Sequence, residues 1–159
     1  MPCPAPGGGG RPSQWTAMLV ESDVLYAYVK KSDWLKPVAV KIVEMAVEGV
    51  LGTLYASREV LHELYYLSVE EGVPPDEYLA RAAALTAIDN LVFLPTTPEI
   101  DLLAFTLLAQ YRLGSVFDAY HAATALSQVP DHTIVSTDHV YDSIPGIRRI
   151  DPRSLVGSK

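Results

Sequence analysis

Five short apolar runs, at 17–21, 52–56, 91–94, 132–136 and 147–150, are set between longer stretches whose apolar residues recur at helical spacing. Runs of this length suit buried strands better than helices. Their near-continuous apolar character means that both faces of each strand are covered. Strands alternating with helices in this way build a parallel sheet with helices packed on both sides. The punctuation agrees: Pro37 stands at a first helical position, Gly49 stops the helix 38–48, and Ser57 caps a helix reaching about Glu70. Gly72 and Pro74-Pro75 mark a turn before helical spacing from Tyr78 to Ile88. Thr97-Pro98-Glu99 opens a further helix, and Gly114-Ser115 separates it from the one after.

In a sheet of this kind ligands gather beyond the carboxyl ends of the strands, so acids placed there are of interest. Asp23 follows the first run and Asp138 the fourth. Asp118 falls in the first turn of the helix opened by Ser115, where the helix dipole favours an ionised carboxylate. Ala119, Ala122, Ala123 and Ala125 allow that helix to lie close to its neighbours. Taken singly, Ser115-x-x-Asp118 is satisfied by a capping role. Glu63 sits inside the Ser57 helix with Glu59 one turn before it, a like-charge spacing that costs roughly 0.2–0.5 kcal/mol. Four acids from four elements, with no cysteine among them, suit a hard cation such as Mg²⁺ or Mn²⁺. Acids grouped around such ions can activate water and stabilise a phosphodiester displacement.

Composition narrows the classes. The chain has 159 residues, enough for one domain with a real core, and a formal net charge of -7. An acidic balance argues against a general basic coat for nucleic acid, which depends on neutralising phosphates with Lys and Arg. It still permits nucleic acid held through metal ions and a small basic patch, for which Lys30, Lys31 and Arg58 are candidates. Ser136 and Thr137, just before Asp138, are candidates for orienting a phosphate or a metal-bound water. Cys3 is the only cysteine, so an intramolecular disulfide and a cysteine metal site are ruled out, and a reducing cytoplasm is the expected location. No apolar run approaches the roughly 18 residues of a membrane span. Residues 1–16, with four consecutive glycines and Pro2, Pro4, Pro6 and Pro12, are expected to form a flexible tail and not a secretory signal. The folded domain is expected over 17–156.

The segments Leu19-Val20-Glu21-Ser22-Asp23, Ser57-x₄-His62-Glu63-Leu64-Tyr65-Tyr66, Phe117-Asp118-Ala119-x-His121-Ala122-Ala123-Thr124-Ala125 and Val135-Ser136-Thr137-Asp138 resemble the successive motifs of PIN-domain nucleases. Order and spacing match over about Ala17 to Leu155. The resemblance implies a three-layer α/β/α sandwich around a parallel sheet and Mg²⁺- or Mn²⁺-dependent cleavage of RNA, leaving a 5′-phosphate and a 3′-hydroxyl. It implies that Asp23, Glu63 and Asp118 bind metal, with Asp138 the fourth acid. Many small members are VapC-type toxins, inhibited by a cognate antitoxin and usually dimeric. A homodimer is expected here also because the helix 38–47 is more apolar than one sheet face needs. At two positions the chain departs from the family pattern. Val140 stands where a second Asp is common, and Val24-Leu25 follow Asp23 where Thr or Ser is common.

Other readings fit less well. Glu59-x-x-His62 and Asp118-x-x-His121 imitate the carboxylate–histidine pairs of di-iron bundles, but those need an all-helical chain. The Asp-x-Asp pair of haloacid-dehalogenase-like phosphotransferases is missing, with Leu25 in the second place, and no Lys stands near Asp138 as a receiver domain requires. The remaining alternatives are a catalytically idle PIN-like interaction module and an RNA-processing PIN protein that is not a toxin.

Overall fold

The computed structural model describes residues 17–157, so the expected tail at 1–16 lies outside the described residues. Five strands form one sheet: β1 (Ala17–Val20), β2 (Thr53–Ser57), β3 (Leu91–Leu94), β4 (Thr133–Val135) and β5 (Arg148–Ile150). Their spatial order is β3-β2-β1-β4-β5, and all four pairings are parallel. The helices are α1 (Ser22–Val29), α2 (Lys36–Val47), α3 (Glu59–Glu70), α4 (Pro75–Thr86), α5 (Pro98–Tyr111), α6 (Val116–Gln128) and α7 (Pro152–Leu155).

Successive side chains of a strand point to opposite faces, and β1 uses this to divide the core in two. Met18 and Val20 join Val24, Ile42, Val60 and Leu64 on the side of α1, α2 and α3. Leu19, between them, packs with Ile100, Ala104, Ala122 and Ile134 on the side of α5 and α6. All three β1 residues are fully buried, which is why the run reads as continuously apolar. The result is the expected three-layer α/β/α sandwich.

The caps act as the sequence suggests. The hydroxyls of Ser57, Thr97 and Ser115 accept the backbone N–H of Glu59 (3.0 Å), Ile100 (3.3 Å) and Phe117 (3.0 Å). Ala119, Ala122, Ala123 and Ala125 of α6 have no exposed surface, so this helix runs closest to the sheet. On α2, Ala39, Ile42, Val43 and Ala46 are buried, leaving Val47 46% exposed. Larger apolar side chains face outward elsewhere, including Leu102 and Phe105 on α5 and Tyr66 and Val69 on α3. Among the described residues no single helix is long and apolar enough to cross a membrane.

Two short elements have no counterpart in the sequence reading: a 3-10 turn at His139–Ser143, and α7. Both are too short to carry a helical period. The first strand also ends earlier than the apolar run suggests, because α1 already begins at Ser22. That small shift puts Glu21 at the strand's carboxyl end and Asp23 in the first turn of α1.

Candidate metal centre

The chain builds outward from β1 through β2 to β3, then crosses to the other side of β1 for β4 and β5. Where the order reverses, the loops after β1 and β4 part and leave a crevice at their carboxyl ends. Glu21 stands in it. Its N–H donates to the Val135 carbonyl at 3.0 Å, extending the β1–β4 pairing by one residue and fixing where its side chain starts. The carboxylate is 4% exposed and is held by three hydroxyls. Ser136 donates to Oε1 at 2.9 Å, while Tyr141 and Ser22 donate to Oε2 at 3.2 and 3.3 Å. Burial first, then the charge of Asp23 and that of Glu63, push the Glu21 carboxyl well above the usual carboxylate range.

Glu63 on α3 reaches the same point from above the sheet. Its Oε1 lies 2.8 Å from Nε2 of His121 on α6, and that nitrogen is 3.9 Å from Glu21 Oε2. One ligand atom from each of Glu21, Glu63 and His121 falls within 4.8 Å of the others. A histidine that ligates metal through Nε2 normally donates its Nδ1–H to an acceptor. His121 Nδ1 is buried with no partner among the described residues. The assignment consistent with this is Nε2–H donating to Glu63, which makes His121 a positioning residue for that carboxylate.

Asp118, in the first turn of α6, is raised from 3.8 to about 6. Burial is the largest cause and the charge of Asp138 the next; Glu63 adds to it, while His121 and a hydrogen bond with Tyr141 oppose it. The Tyr141 hydroxyl, fully buried, donates to Glu21 and also lowers the Asp118 carboxyl slightly against its overall rise. Asp138 caps the 3-10 turn through Oδ1, which accepts the Val140 N–H at 2.9 Å. Its own N–H donates to Ser136 Oγ at 2.9 Å, so Ser136 links it to Glu21. Asp142, one helical turn further on, is tied instead to Arg149 Nε at 2.9 Å, which holds its carboxyl below the usual range.

Asp23 lies on the wall of the same cleft, but its oxygens are engaged. Oδ1 accepts the Val24 N–H at 2.8 Å, and Oδ2 accepts both the N–H and the hydroxyl of Thr137 at 2.8 and 2.7 Å. Asp23 thus clamps the start of α1 to the loop after β4. The hydroxyls of Ser136 and Thr137 are likewise committed to Glu21 and Asp23. Sequence reasoning passed over Glu21. The signal was present, because Glu21 directly follows the apolar residues of β1 and is followed by Ser22, the residue type that the family pattern places after its first acid.

The cleft holds about 420 Å³, and Glu21, Asp23, Asp33, Glu63, Asp118 and Asp138 contribute carboxylates to its lining, with no Lys or Arg among the lining residues. Lys30 stands at the cleft's edge, paired with Asp33 and Glu71, each at 3.6 Å, and lies 4.9 Å from the Tyr26 ring centre. Arg58 is exposed beside Glu59 at 4.0 Å, and Lys31 is exposed. A pocket of carboxylates with two raised acids and no lining cation is electrostatically incomplete. Oxygen donors of this number and charge fit a hard divalent ion such as Mg²⁺ or Mn²⁺.

The PIN domain family model matches residues 18–146. No curated protein matches the chain. Among solved structures, VapBC2 from Rickettsia felis bound to a DNA fragment from its promoter aligns with a TM-score of 0.62 at 16% identity, covering 84% of this chain and 97% of that one. Mycobacterium tuberculosis VapC20, described as a sarcin-ricin loop cleaving toxin, aligns at 0.60 and 17% identity over 77% and 90% of the two chains. A toxin–antitoxin complex from Klebsiella pneumoniae aligns at 0.55 and 16% identity over 85% and 97%. At such identities these three speak for the fold. The family model spans most of the chain and includes every element of the acidic cleft, and on that ground the chain belongs to the PIN domain family.

Proposed function

We propose that this protein is a divalent-metal-dependent endoribonuclease acting as the toxin of a toxin–antitoxin pair. The observation that carries the reading is the convergence of Glu21, Glu63, Asp118 and Asp138, from four separate elements, on one cleft whose lining offers no basic side chain. Those four carboxylates would hold Mg²⁺ or Mn²⁺, with Asp23 acting through its clamp on Thr137. A bound divalent cation supplies activation of water and neutralises charge building on the phosphate.

The chain's own residues do the rest. Ser22, Ser136 and Tyr141 fix both oxygens of Glu21, and His121 fixes Glu63, so the donor set is oriented before a cation arrives. Asp118, standing at about 6, releases its proton fully when a cation neutralises the cluster. The net reaction adds water across the P–O3′ bond, with hydroxyl to phosphorus and a proton to the departing 3′ oxygen. The products are a 5′-phosphate and a 3′-hydroxyl.

The toxin assignment draws on the fold shared with toxin structures from R. felis, M. tuberculosis and K. pneumoniae. A cognate antitoxin and a second copy of the chain are the proposed protein partners, and the exposed Leu102 and Phe105 of α5 and Tyr66 and Val69 of α3 are the apolar surface open to them. The deciding experiment incubates purified protein with total RNA in Mn²⁺ and in chelator, and maps the ends formed. Cuts with 5′-phosphates that appear only with Mn²⁺ are expected. RNA left intact in Mn²⁺, or cut equally in chelator, refutes the reading and favours an idle interaction module.

A further inference from the structure

Trp34 lies on the wall of the acidic cleft with its side chain 67% exposed. It does not sit on a loose loop. Lys36 Nζ donates to the carbonyls of Tyr28 and Lys30 at 2.7 and 2.5 Å, Asp33 Oδ1 accepts the Leu35 N–H at 2.9 Å, and the Lys36 N–H returns to the Asp33 carbonyl at 2.9 Å. Leu35, next in the chain, is buried to 2% exposure. The segment is pinned from both sides, and Trp34 is its outward residue. The Arg153 guanidinium rests over the indole at 5.5 Å from its centre, held there by Asp151 at 2.6 Å.

An outward indole on a rigid turn at a reaction cleft is suited to stacking. Its exposed chain neighbours are Lys31, Ser32 and Pro37 and its covering side chain is Arg153, so no broad apolar patch of the kind a protein partner covers surrounds the indole. The cleft lining also carries no Lys or Arg to grip a polyanion. Arg153, the cation nearest the indole, is paired with Asp151, so stacking is an attraction the cleft wall can offer a nucleic acid besides the metal. We propose that Trp34 is the stacking site for an unpaired base of the RNA strand whose phosphate lies over the acids, an inference that rests on the nuclease reading above. Every base presents a π face, so Trp34 selects for unpaired geometry at that position more than for one base.

The test uses a short single-stranded RNA pool of random sequence with Mn²⁺. Trp34→Ala is expected to raise KM by about 5- to 150-fold, the range for loss of one base–aromatic stack, with kcat near wild type. Trp34→Tyr should restore most of the loss, and Trp34→Leu should not. Independently of turnover, emission of Trp34 in a Trp15→Phe background should be quenched as the pool is added in Ca²⁺. An unchanged KM for Trp34→Ala, equal rescue by Leu and Tyr, or unquenched emission overturns the proposal. So does a change of oligomeric state in Trp34→Ala, which would assign the indole to a second copy. Wild-type protein that leaves RNA intact in Mn²⁺ is a different result, and overturns the nuclease reading together with this one.

Discussion

Replacing Asp118 by Asn separates a metal-binding acid from one that merely caps its helix. In the metal-free protein Asp118 stands at about 6 against an ordinary 3.8, held there by burial and by Asp138. Counted in full, that shift corresponds to about 3 kcal/mol of strain on the ionised form. Asp118 is only partly buried, and screening by water reduces the figure to roughly 1–2 kcal/mol. Neutralisation also forfeits about 0.3–1 kcal/mol of attraction to the α6 dipole. The balance favours Asn by about 1 kcal/mol, or roughly 2–4 °C in Tm for a domain of this size. The sign follows from linkage. A carboxyl raised in the folded state holds its proton more tightly folded than unfolded, so wild type loses stability as pH rises from about 4 to about 6. The advantage of Asn is therefore complete above about pH 6 and gone below about pH 4. Thermal melts in chelator across this range check the stability, and Mn²⁺-dependent cleavage, expected to be abolished, checks the chemistry. A variant that melts below wild type at neutral pH in chelator and still cuts RNA would refute the reasoning.

The other acids divide by the same logic. Glu21→Gln should weaken Mn²⁺ binding strongly in calorimetry while leaving the metal-free melt at or above wild type, since burial already disfavours the charge. Asp23→Asn should do the reverse: it loosens the Thr137 clamp, a charge-assisted contact worth about 1.5–3 kcal/mol, and lowers Tm more than it lowers Mn²⁺ affinity. Equal effects of the two on Mn²⁺ affinity would count against Glu21 as the ligand. Tyr141→Phe keeps the packing and removes only the hydroxyl that donates to Glu21; about 10- to 100-fold weaker Mn²⁺ binding is expected, with an unaltered circular dichroism spectrum. Saturating wild type with Mn²⁺ at about 100 times Kd should add about 2.7 kcal/mol of stability, visible as a rise in Tm that chelator reverses. An unchanged Tm sinks the metal site itself.

The layered fold was legible because the central strands β1 and β4 are buried on both faces and three helix starts carry a hydroxyl cap, at Ser57, Thr97 and Ser115. Glu63, Asp118 and Asp138 were legible as acids on distinct elements that line one cleft. Glu21 was marked only by the Ser22 that follows it, because the end of β1 is set by a hydrogen bond to Val135, more than a hundred positions away, and apolar character alone blurs such a boundary by a residue or two. The bond between His121 and Glu63 is hidden in the same way, since it joins α6 to α3. Lys30 reads as a free cation until folding brings Glu71 beside it. Local pattern specifies elements, while contacts between distant segments decide which side chains remain available.

The reversal of strand order at β1 also bears on when the acidic site becomes complete. β1 must wait for β4, and Glu21 for Ser136 and Tyr141, so the first acid of the cluster to leave the ribosome is completed by residues 115 and 120 positions later. Contacts of such long sequence separation form late in folding. A chain caught partway through synthesis holds Glu21 and Glu63 without Asp118 or Asp138, and β1 without its neighbour on that side. It has half a ligand set and no crevice. If the protein cleaves RNA as proposed, its own message is read almost to the last strand before any catalyst exists. Harm to the producing cell is deferred by topology alone, leaving a window in which an inhibitor can be made before it is needed.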